Sequence, residues 1–201
     1  MSETHVSTAG SGRRRPARKR LLEAAARRFY ADGVVATGID TITAEAGVAK
    51  MSLYNNFSSK ADLVRAYLDA RHEEWLGLYR ARLERVEGPR DGVLAVFDAY
   101  ADHAAYAYEH GFRGCGLLNA AAELPAGDEG RAVVRAHKEE VERLIAGHLE
   151  ELLPDRPDEA GAMAEHLAFL LEGAMARAGL EGDGERVQHA RSMAAALLDR
   201  L

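Results

Sequence analysis

The chain lacks several features that would narrow its chemistry. It has one cysteine, Cys115, in 201 residues, which excludes an intrachain disulfide and fits a reducing cytoplasm. No apolar run approaches the ~18 residues of a membrane span. Basic residues near the N-terminus are not followed by an apolar stretch, so the segment does not read as a secretory leader. There is no glycine-rich phosphate loop, no Gly-x-Ser-x-Gly elbow and little strand signal. The eight histidines miss the close paired spacing of tight zinc sites; His103 and His110, seven apart, share a face of one expected helix. No enzyme, bound metal or resident cofactor is expected, and no membrane.

The charge is unevenly spread. Residues 1–65 sum to +5 and residues 66–201 to −11. A basic head on an acidic body suits a head that meets a polyanion. Six of the basic residues lie in residues 13–20, as a solvated run or as an arm that reaches DNA. The expected domains are a disordered tail (1–12), a DNA-binding head (13–64) and a body (65–201).

Residues 37–60, TGIDTITAEAGVAKMSLYNNFSSK, carry the strongest pattern. Ile39, Ile42 and Ala46 recur at helical spacing, Gly47 interrupts, and Val48, Leu53 and Phe57 resume it. Glycine enters a left-handed turn at least cost, so the segment outlines a helix-turn-helix. Its second helix, residues 50–57, turns Leu53 and Phe57 inward and leaves Lys50, Ser52, Tyr54, Asn55 and Asn56 outward. Those side chains suit phosphate oxygens and base edges. Lys60 opens the next helix against the macrodipole preference, as a phosphate contact would require.

The whole chain reads as all-α, with about nine helices. The first covers residues 16–31, with Leu22, Ala25, Ala26, Phe29 and Tyr30 on one face. Thr37 with Asp40, and Ser59 with Asp62, resemble capping boxes. Further helices are expected at residues 60–86, 89–109, 117–124, 129–153, 158–178 and 184–200. The last two offer Met163, Leu167, Leu170, Leu171 and Ala174, and Ala194, Leu197 and Leu198. These faces form a core pair or a subunit interface. A reader with one short helix per chain gains affinity from pairing, which favours a homodimer.

The run ITAEAGVAKMSLYNNFSSKADL behind an N-terminal helix, with Thr37, Ile42, Ala46, Gly47, Val48, Leu53, Tyr54, Phe57, Lys60 and Leu63 matching, resembles the TetR family of bacterial transcriptional regulators. The resemblance covers about residues 16–70; beyond it, GCGLLNAAAE at residues 114–123 is similar to a segment of some members' ligand-binding bodies. It implies a dimer through the two C-terminal helices and a ligand cavity in the body. It implies Tyr54 and Lys60 as backbone contacts, Thr37 as a helix cap and occasional phosphate contact, and Lys50, Ser52, Asn55 and Asn56 as base readers. Thr43 stands where the family usually has alanine, adding a hydroxyl, and Asn56 replaces a common histidine.

The expected function is sequence-specific binding of operator DNA, as a repressor released by a mostly apolar small molecule. The alternative is a DNA-binding or DNA-organising protein controlled by a protein partner. A pocket needs aromatic walls and a few polar anchors. The candidates are Trp75, Tyr79, Phe97, Tyr100, His103, Phe112, Cys115, Asn119, Glu123 and His137. Cys115 also reads as a thiol sensor or a small buried apolar residue, and Asn119 and Glu123 as ligand anchors or partners of nearby backbone.

Overall fold

A computed structural model describes residues 16–106 and 111–201. The expected tail (1–12), Arg13, Arg14 and Arg15 of the basic run, and residues 107–110 with His110 lie outside the described residues. Among the described residues there are nine helices and no strand: α1 (Ala17–Asp32), α2 (Ile39–Ala46), α3 (Lys50–Tyr54), α4 (Lys60–Leu83), α5 (Pro89–Ala104), α6 (Gly116–Glu123), α7 (Glu129–Leu152), α8 (Pro157–Glu181) and α9 (Glu185–Leu198).

The head is α1 to α3 with the start of α4. α1 buries Leu21, Ala24, Ala25, Phe29 and Tyr30. The face is turned by about one residue from the expected one, leaving Leu22 and Ala26 half-buried at its edge. Gly47 ends α2 at φ 61°, ψ 42°, in the left-handed region, and its N–H bonds back to the carbonyl of Ala44. The α2 N-terminus corrects the sequence reading. Gly38 caps it, without a side-chain bond. Thr37 is buried, and its hydroxyl lies 2.6 Å from the Gly33 carbonyl and 3.3 Å from that of Arg28. The Gly33 carbonyl, just past the end of α1, has no partner within the helix, and the threonine hydroxyl donates to it. The second capping pattern is realised: Ser59 Oγ accepts from the Asp62 N–H at 3.1 Å, while the Asp62 carboxylate takes the Ser58 N–H at 2.9 Å.

α4 runs unbroken through the expected 64/65 boundary, joining head and body in one rigid element. In the body, α5 is apolar nearly all round, which marks a helix enclosed by others. It buries Gly92 to Phe97, Ala99, Tyr100, His103 and Ala104, packed among α4, α7 and α9. α8 lies between α7 and α9. None of the described helices is long and apolar enough to cross a membrane.

The loop before α6 presses on α8. A Cβ on Gly179 would stand 2.7 Å from both Cα and N of Gly114, where only backbone could yield. Gly179→Ala should therefore lower stability by about 1–3 kcal/mol in urea unfolding. Gly147→Ala, which meets open space on α7, should be neutral or stabilising by up to ~1 kcal/mol.

Candidate nucleic-acid interface and its link to the body

The reading helix is held rigidly from behind. Arg20 donates to the carbonyls of Ala46 (3.0 Å) and Gly47 (3.1 Å) at the end of α2. Arg18 donates to the Asn56 carbonyl at 3.0 Å and lies 4.3 Å over the Phe57 ring. Glu45 pairs with both Arg27 and Arg28. Arg20 thus satisfies backbone at the end of α2, and Arg18 backbone just beyond the five-residue α3. These bonds also commit four cations of the basic head to structure.

α3 ends at Tyr54 rather than Phe57, although the N–H of Phe57 still bonds to the Leu53 carbonyl at 2.8 Å. Leu53 and Phe57 are buried as expected. Successive helical residues turn by about 100°, which sets Met51 and Asn55 opposite them, at the crest. Met51 is 69% exposed and Tyr54 48%; Lys50 and Asn55 are exposed too. Lys50 Nζ meets the Asp40 carboxylate at 2.7 Å, and this bond raises the lysine's pKa. Lys60 is half-buried and donates to the Val35 carbonyl at 3.2 Å.

Three of the expected DNA contacts are corrected. Thr37 is buried with its hydroxyl spent on α1, and Thr43 is buried with its hydroxyl 3.1 Å from the Asp40 carbonyl. Neither presents a hydroxyl to DNA. Asn56 turns back, its Nδ2 donating to the Ser52 carbonyl at 2.7 Å; both residues are half-buried on the flank. Met51 was missed. Its spacing of two from Leu53 and four from Asn55 carried the signal, but methionine does not suggest phosphate or base edges.

The body grips the head at the end of α1. Arg113 donates from its guanidinium to the carbonyls of Tyr30 (2.8 Å) and Ala31 (2.5 Å), and from its N–H to the Tyr30 hydroxyl (2.6 Å). Burial pushes the Tyr30 phenol up to about 12, so it stays protonated and donates to the Gly114 carbonyl at 3.2 Å. Glu123 takes the backbone role, one of the two expected for it. Its carboxylate lies against Gly33 and accepts the Val35 N–H at 2.7 Å. Asn119 donates to the Arg113 carbonyl at 2.8 Å, steadying the same loop.

The expected aromatic walls pack on one another. Trp75 stacks on Tyr79 with centroids 5.6 Å apart and meets Tyr100 at 5.2 Å and His137 at 5.5 Å. Phe97 and Phe112 are buried too. Among the described residues Trp75 Nε1 has no hydrogen-bond partner. His137 bonds to His72 (2.9 Å) and to the Tyr100 hydroxyl (3.2 Å). Lys138 reaches Tyr100, Cys115 Sγ (3.6 Å) and Glu172 (2.7 Å). Burial opposes the lysine's charge, but Cys115, Tyr100 and Glu172 outweigh it and push its pKa up. Cys115 and Asn119, with Arg113, Leu118 and Met175, line a pocket of about 430 Å³ between the α6 loop and α8. A cleft of about 760 Å³ lies between head and body, walled by Val35, Lys60, Arg65, Leu124 and Glu129.

The C-terminal pair is corrected in part. Leu167, Leu171, Ala194 and Leu198 face the protomer's own core. Met163, Leu170, Ala174 and Leu197 are half-buried at its edge. The outward face carries Phe169, 66% exposed, and Met193, 47%, with Leu170, Gly173, Ala174 and Arg177 lining shallow grooves beside them.

The family model for bacterial regulatory proteins of the tetR family matches residues 21–67, the head just described. The HTH-type transcriptional regulator TtgR of Pseudomonas putida is 44% identical over 64 residues, 32% of this chain and 30% of that protein. The HTH-type transcriptional activator FasR of Mycolicibacterium smegmatis is 34% identical over 50% of this chain and 44% of its own. These matches thus span less than half of either curated relative. A TetR-family transcriptional regulator from Streptomyces coelicolor is similar throughout, with a TM-score of 0.81 and 34% identity over 92% of this chain and 89% of that one. The chain belongs to the TetR family of transcriptional regulators.

The buried histidines generate a pH prediction. Burial lowers His103 from 6.5 to about 4 and His137 to about 2, with Lys138 adding to both. Both bind protons more weakly when folded, so below about pH 6.5 the unfolded chain holds the extra protons and stability rises with pH. It should be full above that value and fall steadily between about pH 6.5 and 4. The expected slope is about 1.4 kcal/mol per pH unit for each histidine. Urea midpoints across this range check it, and His137→Gln, which keeps a polar partner for Tyr100, should flatten the curve.

Proposed function

We propose that the protein binds operator DNA in the cytoplasm as a two-fold homodimer and represses transcription until a mostly apolar small molecule releases it. The observation that carries this reading is the exposed α3 crest, fixed on a rigid helix-turn-helix head. Tyr54 and Lys60 position the head on phosphates; Lys50 and Asn55 face the bases. The partner helices are α8 and α9, whose outward apolar residues Phe169, Leu170 and Met193 need cover.

The pocket beside Cys115 and Asn119 is the favoured ligand seat, because it shares Arg113 and Gly114 with the grip on α1. A ligand that holds this loop in a second position shifts the population of head orientations. Heads no longer matched to major grooves about 34–36 Å apart leave the operator. A ~100-fold difference in ligand affinity between the two states provides ~2.7 kcal/mol of coupling per site. The second reading, control by a protein partner with no small molecule, draws on the closely packed aromatic interior. A ligand screen read by release of selected DNA separates the two.

Two outcomes are expected. Tyr54→Phe and Lys60→Ala should weaken binding to all sequences about equally, and Lys60→Ala should reduce the log–log salt slope by about one; a loss confined to the operator contradicts the phosphate roles. Phe169→Glu should give a folded monomer with little operator affinity in light scattering and band-shift assays, whereas Leu167→Arg should unfold the protomer.

A further inference from the structure

We infer that Met51 reads the 5-methyl group of a thymine in each operator half-site and is a specificity-determining residue; this rests on the DNA-binding reading above. A lone exposed apolar residue is ordinary on a protein surface, so its position has to carry the argument. Met51 stands opposite Leu53 and Phe57, which anchor α3 in the head, and is 69% exposed. Asn55 follows four residues on, beside it on the same crest. The polar side chains nearer the flanks are partly committed: Lys50 to Asp40, and Asn56 to the Ser52 carbonyl. The outermost ridge of the reading helix is therefore a flexible thioether stem next to the exposed carboxamide of Asn55.

The major groove offers such a stem one apolar feature, the thymine methyl. Guanine, cytosine and adenine present only donors and acceptors there, which methionine leaves unpaired on desolvation. Met51 thus favours T·A at one step and penalises the other pairs, while Asn55 supplies the polar readout at a neighbouring step. The unbranched side chain adapts to the groove wall, and its exposure leaves it little part in holding α3.

The test uses the full chain and an operator obtained by binding-site selection. Each thymine is replaced singly by deoxyuridine, which removes the methyl and nothing else. With the wild-type protein, one thymine per half-site should lose about fourfold in affinity, the effect of burying one methyl-sized group. Met51→Ser should erase that loss at that position only, with an unchanged melting temperature, and Met51→Leu should retain it. Asn55→Ala should alter base preference while keeping the methyl effect. A half-site without thymine, no methyl dependence anywhere, or a dependence that survives Met51→Ser overturns the inference and leaves DNA binding intact. Failure to select any sequence overturns the DNA-binding reading itself, and Met51 with it.

Discussion

The arrangement depends on how the C-terminal end of α1 is satisfied. The last carbonyls of a helix have no partner within it, and here they are pressed against the body. Thr37 donates to the Gly33 carbonyl just past the helix on one side, and Arg113 donates to those of Tyr30 and Ala31 on the other. The Tyr30 hydroxyl closes the junction by accepting from the Arg113 N–H and donating to the Gly114 carbonyl. A backbone requirement thereby fixes the angle between head and body. The loop before α6 and the end of α1 are thus joined by four hydrogen bonds through one arginine and one tyrosine.

The head shows a related economy. Arg18, Arg20, Arg27 and Arg28 serve as internal braces. Net charge alone would count them as contacts for a polyanion. Their geometry shows instead that Arg20, Arg27 and Arg28 fasten α2 and its terminal turn to α1, while Arg18 holds the backbone just beyond the five-residue α3. An exposed crest of preformed shape would lose little ordering entropy on binding.

Much of this was legible in the sequence, for definable reasons. Helical periodicity placed Leu53, Phe57 and the long α4, α7 and α8, because those segments repeat an apolar stripe over several turns. Local capping chemistry gave Ser59 and Asp62. The same chemistry misled at Thr37, whose hydroxyl found backbone on the preceding helix, a long-range choice no local pattern carries. Leu167, Leu171, Ala194 and Leu198 are indistinguishable in type from interface residues, and only three-dimensional packing assigns them to the protomer's core. Trp75, Tyr79 and Tyr100 were read as walls of a cavity, but composition does not say whether aromatics surround a space or fill it. A backbone partner for Glu123 was one of two readings, but which backbone was opaque, as was the role of Arg113, because their partners are main-chain atoms 88 and 82 residues away.

The unbroken α4 has a geometric consequence. Its 24 residues make a strut ~36 Å long at 1.5 Å per residue. The reading head sits on one end and the body's helices hold the other. A tilt of ~5° about the body end swings the tip through ~3 Å, close to the ~3.4 Å between successive bases of one strand. The strut thus works as a lever, in which sub-ångström resettling of side chains near its fulcrum becomes a misregistration of nearly one base step at its tip.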